Sequence, residues 1–238
     1  MASTRATARQ QQTPLSDERE RQKQAAARTA AELVRDGMRL GLGSGTTVAH
    51  LLPAIAARGL EGVRCAATSP ATEAAALALG LVVEPLDELG ELDLAIDGAD
   101  EIAPSGWLIK GGGGAHTREK IVAASARSFV VIASAEKAVE ELTPPVPLEL
   151  VAFGVQRTLA CVGDARLREA PPTPDGGLLA DYLAPVGDPA ELAAHLESLP
   201  GVVEHGLFAP QMVSLVLIAD EQRVRRVRGA KRGSAELA

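Results

Sequence analysis

Five short apolar runs, at residues 38–42, 63–67, 81–84, 92–96 and 129–133, alternate with helical segments at residues 48–57, 71–79 and 117–126. Strand and helix in alternation imply a parallel sheet, because each parallel crossover needs a dozen or more residues and a helix supplies them on the sheet faces. The expectation is therefore an α/β fold. An amphipathic helix is expected over residues 16–36, rich in Ala, Glu, Arg and Gln, with Ala26, Ala30, Leu33 and Val34 near helical spacing and Gly37 as its stop.

The rhythm breaks after Thr143. Pro144, Pro145 and Pro147 interrupt it, short strands are expected at residues 165–169 and 178–183, and a helix at residues 189–199. This reads as a second, smaller α+β unit over residues 144–211, with the larger parallel-sheet unit formed by residues 16–143 and 212–238. The apolar run 212–218 is a strand that returns to the first sheet. Residues 1–15 have too few large apolar groups to offset ordering entropy and are expected to be a disordered tail.

Composition closes off several functions. The net charge of -7 lacks the electrostatic footprint of a nucleic-acid binder, and the one basic cluster, Arg223, Arg225, Arg226, Arg228, Lys231 and Arg232, reads as a solvated edge. Two cysteines, Cys65 and Cys161, make neither a disulfide framework nor a zinc site, and the four histidines include no i, i+4 pair. No apolar run approaches the roughly 20 residues of a membrane span, and the start of the chain lacks a signal-like apolar stretch. The expected setting is cytoplasmic, with no metal.

Chemistry gathers where strands end. Gly41 to Thr47 (GLGSGTT) follows a strand and opens a helix, so its small residues let backbone N–H groups and hydroxyls approach a phosphate. The third glycine of a dinucleotide fingerprint falls on Thr46, and no Walker lysine is present, so a monophosphate fits better than a nucleotide. Asp97-Gly98-Ala99-Asp100-Glu101 sets three carboxylates at the end of an apolar strand. Lys110 to Lys120 (KGGGGAHTREK) places a lysine before four glycines and a helix start with Thr117 as its cap. Glu119 lies in that first helical turn, where the helix dipole lowers a carboxylate pKa. Lys137, in SAEK, follows the next strand, where a lysine either reaches a phosphate from a helix start or stands solvated.

Taken together and in this order, GLGSGTTV, TSPATE, IDGADEI, LIKGGGGAHTREK, SAEK and LPGVVEHGLFA make the chain resemble ribose-5-phosphate isomerase of type A, from Lys23 to about Arg228. The resemblance implies a Rossmann-like domain carrying a small α+β domain, a sugar-phosphate substrate, no cofactor, a metal-free reaction, and a homodimer or homotetramer. It implies that Ser44, Gly45, Thr46, Thr47, Asp97, Gly98, Ala99, Asp100, Lys110, Gly111, Gly112, Gly113 and Lys137 bind substrate, and that Glu119 is the proton acceptor. This chain departs from the pattern at Ser44, where relatives often have Thr, at Thr46, where they have Ser, at His116, where they have an apolar residue, and in the proline-rich segment 171–177. His116 is expected to be a bystander loop residue.

Moving a carbonyl between C1 and C2 needs one base that serves both carbons from one face, the role assigned to Glu119. Lys110, with nearby glycine N–H groups, is the candidate for stabilising the oxyanion. Asp97, helped by Asp100, is assigned to protons on oxygen. The alternatives are a sugar-phosphate-sensing regulatory domain, which would need a DNA-binding module absent from the first 40 residues, and an amino-sugar phosphate deaminase, in which His116 would have to be catalytic.

Overall fold

The computed structural model of the chain describes residues 14–231. Helix α1 (Pro14–Ala31) precedes β1 (Arg39–Leu42), α2 (Gly45–Ala56), β2 (Arg64–Ala67), α3 (Pro70–Ala78), β3 (Val82–Val83), the one-turn α4 (Leu86–Leu89) and β4 (Leu92–Gly98). The two-residue strands β5 (Glu101–Ile102) and β6 (Leu108–Ile109) lead to α5 (His116–Ala124) and β7 (Ala126–Ser134). Then come β8 (Val146–Leu150), α6 (Val155–Val162), β9 (Ala165–Leu167), β10 (Leu178–Tyr182), α7 (Pro189–Ser198), β11 (Val202–His205), β12 (Leu207–Phe208), β13 (Leu215–Ala219) and β14 (Val224–Arg228).

Seven strands form one sheet in the order β14-β13-β7-β4-β1-β2-β3, parallel throughout except for the antiparallel edge β14. From β1 the chain runs outward through β2 and β3, then returns to place β4 on the other side of β1. That reversal opens a crevice at the carboxyl ends of β1 and β4, the place where open α/β sheets bind ligands. Alternate side chains of the central strands feed two cores. Leu40, Leu42, Leu94, Ile96, Val130 and Ile132 pack against α1 and α2, while Ala95, Phe129 and Val131 share the other face with Val122 and Ala123 of α5. Three fully buried alanines of α1, Ala26, Ala27 and Ala30, let that helix lie close on the sheet.

A four-stranded antiparallel sheet, β11-β8-β10-β9, buries its own cluster of Val146, Leu148, Leu150, Ala180 and Leu196, and a three-stranded sheet, β12-β6-β5, carries the chain toward the glycine loop. Among the described residues no helix is long and apolar enough to cross a membrane.

Several sequence expectations shift. The first helix starts at Pro14, inside the expected tail, and stops at Ala31 instead of Asp36; tight bonds from Leu33 and Val34 to carbonyls three residues back unwind it, and Gly37 turns with φ +74. Residues 1–13 of the expected tail, and Arg232 of the basic cluster, lie outside the described residues. Pro147 does not break the chain, for it sits inside β8. On the β11 side the ladder ends at Leu148, so Pro147 only accepts there, from the Gly206 N–H, and loses no donor. Helix α6 had no counterpart in the sequence reading. The returning strand begins at Leu215, because Pro210–Met212 forms a 3-10 turn first.

Candidate active site

The crevice at the sheet's switch point is lined by the motifs singled out above. Gly43 follows β1 and its N–H bonds the Ile96 carbonyl of β4 at 3.0 Å, so the loop starts flush against the neighbouring strand. No side chain fits there: a Cβ on Gly43 would lie 1.9 Å from Cγ and Oδ1 of Asp97. Gly45 takes φ +89, a turn that opens α2 and leaves its first N–H groups without intrahelical acceptors. Gly45 and Thr46 are exposed, while Ser44 and Thr47 are half-buried. The Thr72 hydroxyl of α3 holds the loop from behind by donating to the Gly43 carbonyl at 2.9 Å.

Asp97, at the end of β4, is 3% exposed. Its Oδ1 accepts the N–H groups of Ser44 at 3.0 Å and Gly98 at 2.7 Å, and its Oδ2 accepts the Lys110 ammonium at 2.8 Å. Lys110 Nζ also donates to the Gly98 carbonyl at 2.6 Å and stands 3.0 Å from Glu119 Oε2 as an ion pair off the line of a hydrogen bond. The other oxygen of Glu119 accepts the Ser44 hydroxyl at 2.6 Å. Ser44, Asp97, Lys110 and Glu119, spread over 76 positions of the chain, thus form one buried network.

Two carboxylates sharing one ammonium out of water have opposed fates. Burial, followed by the Glu119 charge, raises Asp97 to about 7 against the pull of Lys110 and the Gly98 N–H. Burial also pushes Glu119 upward, but the Lys110 ammonium and the Ser44 hydroxyl outweigh it and hold Glu119 below the ordinary carboxylate range. Lys110 is held firmly charged: both carboxylates overcome the burial that would lower it. The site therefore keeps an ionised Glu119 beside an Asp97 poised to give or take a proton near neutrality.

The glycine loop differs from expectation. Gly112 N–H donates to Asp100 Oδ2 at 2.8 Å and Gly114 N–H to the Gly111 carbonyl, so the first donor ties the loop to the turn after β4 and the second is committed within the loop. Ala115, not Thr117, is the N-cap of α5; the Thr117 hydroxyl instead donates to the buried carboxylate of Glu149 in β8. His116 is not on a loop. It is the first residue of α5, fully buried against Gly111, and burial lowers its pKa so that it stays neutral.

Ala99 and Asp100 are half-buried at the mouth, Gly113 is exposed, and Lys137 is half-buried on the 3-10 turn that follows β7. A cavity of about 840 Å3 lies on the outer side of α5, among Thr117, Arg118, Ile121 and Phe153, and includes none of the four network residues. One residue at the site had no sequence signal. Arg168, from the small sheet, donates to the carbonyls of Gly111 at 3.0 Å and Gly112 at 3.1 Å and is itself gripped by Asp181 at 2.6 Å. A lone arginine near a strand announces nothing; only the packing of the two sheets brings it to the loop. Among the described residues no group of three or more His, Cys, Asp or Glu side chains is placed to hold a metal ion.

Comparison with known proteins identifies the family. A family model described as ribose 5-phosphate isomerase A (phosphoriboisomerase A) matches residues 64–223. The ribose-5-phosphate isomerase A of Caulobacter vibrioides is 42% identical over 219 residues, covering 86% of this chain and 96% of that protein. That of Roseiflexus sp. is 46% identical over 213 residues, covering 83% and 91%. The solved ribose 5-phosphate isomerase A of Methanocaldococcus jannaschii superposes with a TM-score of 0.83 at 32% identity, over 88% of this chain and 99% of that one. On sequence and on fold alike, this chain belongs to the ribose-5-phosphate isomerase A family.

Proposed function

We propose that the chain interconverts ribose 5-phosphate and ribulose 5-phosphate through an enediolate, with Glu119 as the base. The observation that carries this reading is the contact of Glu119 with both Ser44 and Lys110, which joins the phosphate loop to the base and to its cation. The substrate phosphate sits on the first N–H groups of α2 with the hydroxyls of Ser44, Thr46 and Thr47, and Lys137 supplies a remote positive charge.

In the open-chain aldose, Glu119 takes the proton from C2. The C–H pair becomes the C1–C2 double bond, and the carbonyl pair moves to O1, where Lys110 meets the developing charge. Glu119 then returns its proton to C1, while the O2 hydroxyl proton passes through Asp97 to O1 and C2 becomes the carbonyl. An Asp97 near 7 suits that relay, because it both donates and accepts at working pH. Asp100 anchors Gly112 and so shapes the wall around the sugar hydroxyls.

Glu119 is a weak base in the free protein. Substrate binding corrects this: a phosphate dianion that draws the Ser44 hydroxyl to itself removes one lowering contact and adds negative charge, and both raise Glu119. The base is strengthened only when substrate is present.

The reading extends to a cytoplasmic homodimer or homotetramer, as the resemblance implies. The deciding experiment is conversion of ribose 5-phosphate by purified protein in excess chelator, followed by the ketose chromophore. Absence of turnover, or turnover that returns only with a divalent ion, would overturn it.

A further inference from the structure

Phe208 is fully buried, yet two lysine ammoniums stand over its ring: Lys110 Nζ lies 5.3 Å and Lys120 Nζ 5.0 Å from the centroid. An aromatic face is negative, so it attracts a cation, and the attraction grows when water is excluded. Both lysines meet that condition. The Lys110 side chain is 3% exposed and the Lys120 side chain 14%, and burial lowers the Lys120 pKa even though Glu204 supports its charge.

The ring also joins the two elements that hold the network. Phe208 lies in β12, which pairs with β6, and Lys110 directly follows β6 with its N–H bonded to the Gly206 carbonyl. Lys120 is the residue after Glu119 on α5, and it is tied to β11 through Glu204 Oε1 at 2.6 Å and the His205 carbonyl at 2.7 Å. A contact from each lysine to one ring therefore sets the strand bearing Lys110 against the helix bearing Glu119.

We propose that Phe208 is a positioning residue for the isomerisation: the negative face of its ring holds the Lys110 ammonium in register with Glu119, through Lys120 on the same ring. This rests on the isomerase reading above. It assigns Phe208 an electrostatic task that a core residue of the same size lacks.

The test replaces Phe208 site-specifically with mono-, di- and trifluorinated phenylalanine, which nearly keep the ring's volume while draining its face of negative charge. Activity on ribose 5-phosphate and the thermal midpoint are measured for each protein. The expected result is a stepwise fall in kcat with fluorine number, about ten-fold at the trifluoro ring, the scale of a desolvated cation–π contact. KM should stay within about two-fold, since the phosphate contacts are untouched. A flat kcat with the fold intact overturns the proposal, and so does a fall in kcat matched by an equal loss of thermal stability. An unfluorinated parent without turnover would instead sink the isomerase reading, and the proposal with it.

Discussion

Ser44 Oγ donates to Glu119 Oε1 at 2.6 Å, so the loop assigned to the phosphate also restrains the base. Ser44→Ala removes one of the contacts that hold Glu119 below its ordinary range. The acid limb of the kcat/KM profile should therefore move to higher pH, and KM should rise several-fold from the lost phosphate contact. An acid limb that stays in place or moves to lower pH would contradict the coupling.

Glu119→Gln keeps size and hydrogen-bonding capacity but cannot accept a proton from carbon. A fall in kcat of roughly 10²-fold or more is expected, with sugar-phosphate affinity within several-fold of the parent. Asp97→Asn should slow turnover yet leave exchange of the C2 proton with solvent detectable, because Asp97 is assigned to oxygens. Near-normal turnover by Glu119→Gln, with its fold confirmed by circular dichroism, would move the base elsewhere.

Gly43→Ala adds a single methyl group 1.9 Å from Asp97 Cγ. The strand ends are buried on both sides, so the carboxylate must swing away from Lys110 and the Ser44 N–H. Activity should drop by roughly 10²-fold, the order lost when a reacting group is misplaced by about an ångström, while Gly45→Ala, which meets no neighbour but a strained φ, should cost stability and raise KM through the phosphate turn it opens, with kcat far less affected. Full activity in Gly43→Ala would show that Asp97 need not sit where the fold puts it.

Stability should depend on pH through two buried groups with opposite signs. His205 Nδ1 accepts the Leu207 N–H at 3.2 Å and faces the Lys120 ammonium at 3.4 Å; burial and then Lys120 lower its pKa to about 4, against the pull of Glu197. A depressed base contributes stability above its unfolded value of 6.5, lost as pH falls through about 4. Asp97 is raised, so its contribution is complete below 3.8 and is lost as pH rises through about 7. Thermal midpoints across pH 4 to 8 should lose their acid-side decline in His205→Gln and their decline toward neutrality in Asp97→Asn. Unchanged curves in both variants would refute the assignments.

Lys137→Ala should raise KM about ten-fold and leave kcat nearly unchanged, since a remote phosphate contact is similar in ground and transition states. Initial rates over a range of ribose 5-phosphate suffice, and a loss confined to kcat would place Lys137 among the reacting groups.

Local patterns were enough for the alternating elements, the strand-end position of Gly43, Ser44 and Asp97, and the glycine loop before α5, because burial on both faces and tight turns each demand particular residue types nearby in the chain. The family motifs carried Glu119 and Lys110 as well. What distant contacts decide was not legible. That Pro147 runs through a strand depends on which neighbour needs its N–H, and that the Thr117 hydroxyl is no helix cap depends on Glu149, distant in the chain, which accepts it. His116 reads as a loop residue until Gly111 closes over it, Arg168 carries no local signature at all, and Phe208, though inside the LPGVVEHGLFA motif, has nothing nearby in the chain to mark its ring as a cation contact. The ionisation of Asp97 and Glu119 belongs to the same class: it follows from the burial of both carboxylates against each other and around one ammonium, and burial exists only once the sheets have packed.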